Sequence, residues 1–386
     1  MMRTAIPAEE IFKKTRSVGQ YYGFSPFATL AAEERGSAEA LAAREKPRPD
    51  EPAPSDPRAA TMAAFLLQAR ATGILAREGR GPLFLWHSNL APGRMAPKKV
   101  VIQFHAIGSD RALAEAVVIR ALSALVADLY HAEPAIRLNS MGDRETRARY
   151  LRELATFFKR RASILPPECA AAAAKDVLAG AELVAAEHLA DLLPLSTEYL
   201  SDASRKRFEE LLEHLEATNT PYELARDLMT DGAHWNDACF ELRAGERRVA
   251  WGSRYHELAR RVLGQAMPAV GALLEVESAA GAGAPLAATS PAKTRFAFIH
   301  IGDEAKRLSL QLAGDFHRAH VPLSQDIGVE SLIEQMRYVE KKNPAYLLVM
   351  GRKEALEGCV ILRDRATQEE RVLPLAGLSE RLKAVL

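Results

Sequence analysis

Cysteine is scarce in this chain: Cys169, Cys239 and Cys359 are the only three among 386 residues. An odd number at such wide spacing builds neither a disulfide framework nor a paired metal-ligand motif, so no metal site is expected and a reducing, cytoplasmic setting is. Charge of one sign is equally missing. The 51 Lys and Arg against 50 Asp and Glu leave a net charge of +1, which excludes a global field for nucleic acid and confines any basic surface to local patches. Long hydrophobic runs are absent too. No stretch approaches the roughly 20 apolar residues that span a bilayer, and residues 1–17 lack the apolar core of a secretory leader. A soluble protein with no membrane partner is the expectation. With 48% hydrophobic residues, the chain is long enough for two globular domains.

In chain order, residues 8–22 carry a helical pattern that closes at Tyr22-Gly23-Phe24, and a short strand is expected from Pro26 to Leu30. Residues 34–58, with EKPRPDEPAPSDPR, cannot sustain a helix or a central strand and are expected to form a surface loop. A helix follows over 59–77. Leu83–Trp86 and Lys99–His105 are strands that pair as a long-looped hairpin across the turn-rich 89–97. Helices are expected at 112–129, 142–161, 170–193 and 202–218, with a short strand at 135–139. In the charged 142–161 helix, Leu151, Leu154, Phe157 and Phe158 are spaced to bury one face, and its Arg and Lys residues form a solvated face.

The stretch from Pro221 to Leu258 gathers the most chemistry. Two β-runs, 234–242 and 247–251, flank Arg243-Ala244-Gly245-Glu246 as an antiparallel hairpin. Gly252-Ser253-Arg254-Tyr255-His256 then reads as a strand-to-helix turn where backbone can approach a ligand. Periodicity disappears between Val276 and Arg295, the clearest domain boundary. Beyond it, strands at 295–301, 321–324 and 345–350 alternate with helices at 303–320 and 329–342. Such βαβ alternation argues for a largely parallel sheet. Strands at 358–363 and 370–374 and a helix at 379–386 complete a module of domain size.

Leu138-Asn139-Ser140-Met141-Gly142-Asp143 before the Arg-rich helix, and Leu195-Ser196-Thr197-Glu198-Tyr199-Leu200 before the helix of Phe208, resemble the insert region of histidyl-tRNA synthetase. Ser331-Leu332-Ile333-Glu334-Gln335-Met336, the Tyr346–Gly351 strand with Arg352-Lys353-Glu354, and the Gly358–Arg363 strand with Thr367-Gln368-Glu369 resemble that family's anticodon-binding domain. The resemblance implies an α+β fold: a class II antiparallel sheet with flanking helices over 1–278, a linker over 279–294, and a smaller α/β anticodon-binding domain over 295–386. It also implies a homodimer and tRNA as partner through 295–386.

An adenylating synthetase stabilises charge at the α-phosphate with fixed cations and oriented donors. Where the family's second class motif carries an Arg after a strand-borne Phe, with an acidic residue two further on, this chain has Phe84, Leu85, Trp86 and His87. The closing Phe-His-Gln survives as Phe104-His105-Ala106. The histidine-specific Leu-Val-Arg-Gly-Leu-Asp-Tyr-Tyr aligns with Leu228-Met229-Thr230-Asp231-Gly232-Ala233-His234-Trp235, which puts Thr230 at the catalytic Arg. The acidic residue expected near Thr61 falls on Ala59, and the Arg of the third class motif falls on Ser278. Gly-Gly-Arg-Tyr-Asp-Gly-Leu is partly kept as Gly252-Ser253-Arg254-Tyr255-His256-Glu257-Leu258. Leu85, Ala106, Thr230 and Ser278 thus mark degenerate positions, and no catalytic residue is retained.

Ligand-pocket candidates are His105, His234, Trp235, Arg254 and Tyr255. The two histidines are weighed against structural hydrogen bonding, the tryptophan against core filling and Arg254 against a structural ion pair. His300, His317 and His320 lack metal spacing. Arg337, Lys341, Lys342, Arg352 and Lys353 are candidate RNA-phosphate contacts, with a solvated helix end as the alternative. The expectation is a tRNA-binding or regulatory protein without histidine activation. A divergent active ligase using ATP with magnesium, or a regulatory subunit for a histidine-biosynthesis phosphoribosyltransferase, are the alternatives.

Overall fold

The computed structural model describes residues 5–27, 56–76, 81–88, 99–230, 234–279 and 294–384. Among them, a nine-stranded sheet carries the strands β1 (Ile6–Pro7), β2 (Ser25–Pro26), β3 (Leu83–Ser88), β4 (Lys99–Ile107), β5 (Ala135–Ser140), β6 (Glu223–Leu224), β7 (Asn236–Ala244), β8 (Arg247–Arg254) and β9 (Ala269–Ala279). Its order is β2-β3-β4-β9-β8-β7-β5-β6, with β1 added to β9. The run from β3 to β5 is antiparallel throughout, and the short β1, β2 and β6 pair parallel at its margins.

Alternation along the strands divides the side chains between two faces. Phe104, Ala106, Phe240, Val270 and Ala272 join one core with α1 (Ala8–Tyr21). His105, Ile107, Trp251 and Leu273 turn to the opposite face, under α2 (Pro57–Ala71). α3 (Leu113–Tyr130) is apolar almost all round because it lies inside the first core, against the sheet, α1 and a later helix, α7 (Asp202–Ala217).

The insert follows β5. α4 (Arg144–Arg161) starts at Asp143, whose carboxylate accepts from the Thr146 amide at 2.7 Å. Leu154, Phe157 and Phe158 are buried as the spacing predicts, but so is Arg147, which the solvated-face reading had outside. The helix expected over 170–193 is broken into α5 (Pro167–Ala173), α6 (Val177–Ala186) and a 3-10 turn. Asp176 caps the start of α6 by accepting from the Leu178 amide, and His188 ends the segment in a left-handed conformation. Ala-rich composition favours helix without fixing its continuity.

Two further expectations change. The 59–77 helix begins at Pro57, because Asp56 accepts from the Arg58 amide at 2.8 Å and proline suits the first helical turn. Most of the expected 34–58 loop, the strand beyond Phe27 and the 89–97 turn lie outside the described residues, as does the linker from 280 to 293. Gly252, Ser253 and Arg254 belong to β8, and α8 (His256–Leu263) starts only afterwards. Gly252 is small because Phe240 lies over it: a Cβ there would stand 2.3 Å from Phe240 Cζ and 2.7 Å from Ala272 Cβ.

The second sheet is ordered β11 (Leu323–Gln325), β10 (Phe296–His300), β12 (Tyr346–Met350), β13 (Cys359–Asp364) and β14 (Glu370–Pro374). It is mixed rather than largely parallel: β11, β10 and β12 are parallel, and β13 and β14 antiparallel. The β12–β13 connection holds only α11 (Arg352–Glu357), too short for the dozen or more residues of a parallel crossover. α9 (Asp303–Ala319), α10 (Leu332–Lys342) and α12 (Leu378–Lys383) complete the module. Its Phe296, Phe316 and Ile327 belong to the same core as Phe24, Phe84 and Phe104, so the two sheets share one apolar interior. Gly328 lies against β3: a Cβ there would meet the Pro82 carbonyl at 2.3 Å.

Gly252→Ala, which overpacks the sheet against Phe240, is expected to destabilise the fold by about 1–3 kcal/mol. Chemical denaturation should show a lower midpoint with an unchanged slope.

Candidate functional site

The face of the first sheet under α2 holds most of the pocket candidates, and it is packed solid. His105, fully buried on β4, stacks on Phe65 of α2 with ring centroids 3.7 Å apart and 2° between planes. Its Nε2 lies 3.1 Å from Gln103 Oε1 and its Nδ1 2.8 Å from the Tyr255 hydroxyl. An amide oxygen only accepts, so Nε2 carries the proton and Tyr255 donates to Nδ1. Burial, with the neighbouring His87 adding to it, holds His105 well below the ordinary imidazole value. It is a neutral core histidine. Burial likewise pushes the Tyr255 hydroxyl far up, leaving it a hydrogen-bond donor.

Trp235 is fully buried, packs edge-on against Trp251 at 4.6 Å, and donates its indole N–H to Asp56 at 3.0 Å. Arg147 donates to its carbonyl. Burial pushes the Asp56 carboxyl up, but bonds from the Arg58 amide and Trp235, with the Arg58 charge, outweigh it and leave the group below its usual value. Arg58 itself lies over the Trp251 ring at 4.2 Å, a cation–π contact. His234 is half-buried at the turn before β7, next to residues 231–233, which lie outside the described set.

Arg254 resolves as a structural ion pair. Its guanidinium is fully buried and binds both carboxylate oxygens of Glu115 on α3. Its remaining donors reach the carbonyls of Arg111 at 2.7 Å and Ser109 at 3.2 Å. Every donor so engaged is unavailable to a ligand. His256, beside it, accepts from the Ala269 amide, and burial with the Arg254 charge holds it down at about 3.

The degenerate positions are equally closed. Leu85 and Ala106 are fully buried, Thr230 is 4% exposed and Ser278 7%. Leu85 belongs to the cluster of Trp235, Trp251 and Tyr255, whereas Ala106 faces the opposite core. Ser278 pairs with Ile6 across the β1–β9 ladder.

Among the described residues, a groove of about 380 Å³ lies between α2 and strands β3 and β4, lined by Thr61, Ala64, Phe65, Gln68, His87 and Gln103 among others. Sequence reasoning missed Gln103, Glu115 and Asp56. Gln103 stands two positions before His105 on the same strand face, and Glu115 is a lone acid in an apolar helix. Asp-Pro is a helix-start signal that the proline-rich context masked.

The basic residues of the second module fall in two groups along the chain. Arg337 and Lys341 are exposed on α10, and Lys342 lies over the Tyr338 ring at 5.6 Å. That helix ends just before β12, whereas Arg352 and Lys353 follow its far end. β12, five residues long, lies between the two groups in the chain.

A model of the anticodon binding domain family matches residues 295–385. The histidine–tRNA ligase of Rubrobacter xylanophilus is 29% identical over 297 residues, covering 75% of this chain and 69% of that relative. That of Streptomyces avermitilis is 25% identical over 351 residues, covering 84% and 80%. The apo histidyl-tRNA synthetase of S. aureus superposes with a TM-score of 0.45 and 16% identity, covering 96% of this chain and 94% of that one.

Glu115→Ala should cost about 3–5 kcal/mol by leaving Arg254 buried and unpaired, and Glu115→Leu with Arg254→Met should cost less than the single change; denaturant titration of the cycle measures both. The depressed His105 and His256 predict an acid-sensitive fold. The unfolded chain binds these protons near pH 6.5, the folded chain only far lower, so stability is full above about 6.5 and falls as pH drops toward 3. Melting temperatures from pH 8 to 4 should follow that course, more shallowly in His256→Asn.

Proposed function

We propose that the chain is a histidyl-tRNA synthetase-like protein without histidine activation, acting as a tRNA-binding or regulatory protein, a reading supported by the anticodon binding domain match and the histidine–tRNA ligase relatives. The observation that carries this reading is the closed face under α2. Trp235, Trp251, Tyr255, His105 and Leu85 form a core of fully or almost fully buried side chains on the face that carries most of the pocket candidates. Arg254, at the end of β8, is engaged by Glu115 and two carbonyls.

Magnitudes favour loss of catalysis over weak catalysis. Removing one preorganised donor lowers a rate by about 10² to 10³. Here Leu85, Thr230 and Ser278 each replace a cation that the family resemblance requires, and Leu85 and Thr230 are too buried for a cation without a partner. ATP and magnesium have no role in this reading.

RNA binding is proposed for the second module. Its exposed Arg337, Lys341, Arg352 and Lys353 are suited to phosphates. Ion pairs with phosphate release counterions, so binding should weaken steeply with salt.

ATP–pyrophosphate exchange with each amino acid tests the catalytic half: no histidine-dependent exchange is expected, and robust exchange would sink the reading. Binding of tRNA and of unrelated RNA across a salt series tests the other half. Arg337→Ala with Lys341→Ala should weaken tRNA binding and reduce the salt slope by about 1–2. Equal affinity for any RNA would leave only electrostatic adhesion.

A further inference from the structure

Modules of one chain ordinarily move against each other unless a large apolar interface prevents it, and the interface between the two sheets has that character. The first module brings Tyr22 at the end of α1, Phe24 and Phe84 of β3; the second brings Phe316 of α9, Leu323 of β11 and Ile327. Phe316, Leu323 and Ile327 are fully buried, and Tyr22 is 2% exposed. α9 packs against α1, α3 and α7, and β11 against α1. Detaching the second module alone would return this apolar surface to water.

The backbones at the seam leave no gap. Gly23 turns with a φ of 76°, and a Cβ there would stand 3.2 Å from the Gln325 carbonyl oxygen and from Ile327. Gly81 and Gly328 face each other, a Cβ at Gly81 falling 2.5 Å from the Gly328 carbonyl oxygen. The space beside Gly314 of α9 is filled by the Arg120 guanidinium of α3.

Polar groups bridge the seam as well. Gln325, fully buried, donates its side-chain amide to the Tyr21 carbonyl at 2.9 Å. Gln20 donates to the Thr294 hydroxyl at 3.0 Å. His317 Nε2 stands 3.0 Å from Asp128 Oδ2, and its ring lies edge-on to Tyr21 at 5.1 Å. Swinging the second module away would break these bonds together with the apolar contacts, so partial opening gains nothing that full unfolding does not.

We propose that the two modules form one cooperative unit, in which the second is locked against the first and unfolds only with it. The exposed Arg337, Lys341, Arg352 and Lys353 are then held at a fixed position relative to the first sheet, and anything that binds them stabilises both modules. This holds whatever the second module binds. Guanidinium titration of the full chain tests it with one probe in each module. All three tryptophans, Trp86, Trp235 and Trp251, lie in the first. Cys169 and Cys239 are buried, so a thiol-reactive fluorophore goes to the partly exposed Cys359 of β13 in the second. The two signals should share one midpoint and one slope. Leu347→Ala, which truncates a small cluster under α10 apart from the shared interior, should lower both midpoints by the same amount. Val339→Ala, a smaller truncation of that cluster, gives the same comparison if Leu347→Ala does not fold. Separate transitions in the parent chain, or a shift in either variant confined to the Cys359 signal, overturn the inference.

Discussion

A buried guanidinium has to be neutralised where it stands, and Arg254 satisfies that constraint in a way that organises much of the molecule. Its bidentate pair with Glu115 ties the end of β8 to α3 across 139 positions of sequence. Its bonds to the Ser109 and Arg111 carbonyls fix the turn between β4 and α3. From that turn the Arg111 side chain reaches Asp303 at 2.6 Å and Glu330 at 2.8 Å in the second module. The outer pairs are solvent-exposed and contribute little individually. The inner pair cannot lose one partner cheaply. A turn motif that suggested ligand binding therefore serves as an internal anchor.

The same economy governs the face under α2. A polar active site requires donors that remain unsatisfied until substrate arrives. Here each candidate donor already has a protein partner: Tyr255 with His105, His105 with Gln103, Trp235 with Asp56. Rings then fill the remaining volume, with Phe65 on His105 and Trp251 on Trp235. Such a face gains stability from burial where an active site would carry strain and exposed charge.

Much of the fold was legible from residue patterns. The β7–β8 hairpin, the β3–β4 pair and the alternating second module follow from strand periodicity and turn chemistry. Three features were not. Gly252 and Ser253 looked like a turn because small residues mark turns, yet the same smallness lets Phe240 lie across a sheet. β13 and β14 looked like part of a parallel module, although the short connection over α11 forbids a crossover. Arg254 balanced between ligand and structure because its counter-charge, Glu115, sits far away in an otherwise apolar helix. Pairings of that kind depend on tertiary contacts that local pattern does not encode.

We propose that the packed face under α2 leaves no room for an aminoacyl-adenylate. Titration with a non-hydrolysable histidyl-adenylate analogue addresses it most directly, since mimics of high-energy intermediates bind about 10² to 10⁸ times tighter than substrates and reveal even a weakened site. The closed face predicts no saturable heat of binding. Saturable binding at about 1 μM or tighter would contradict it.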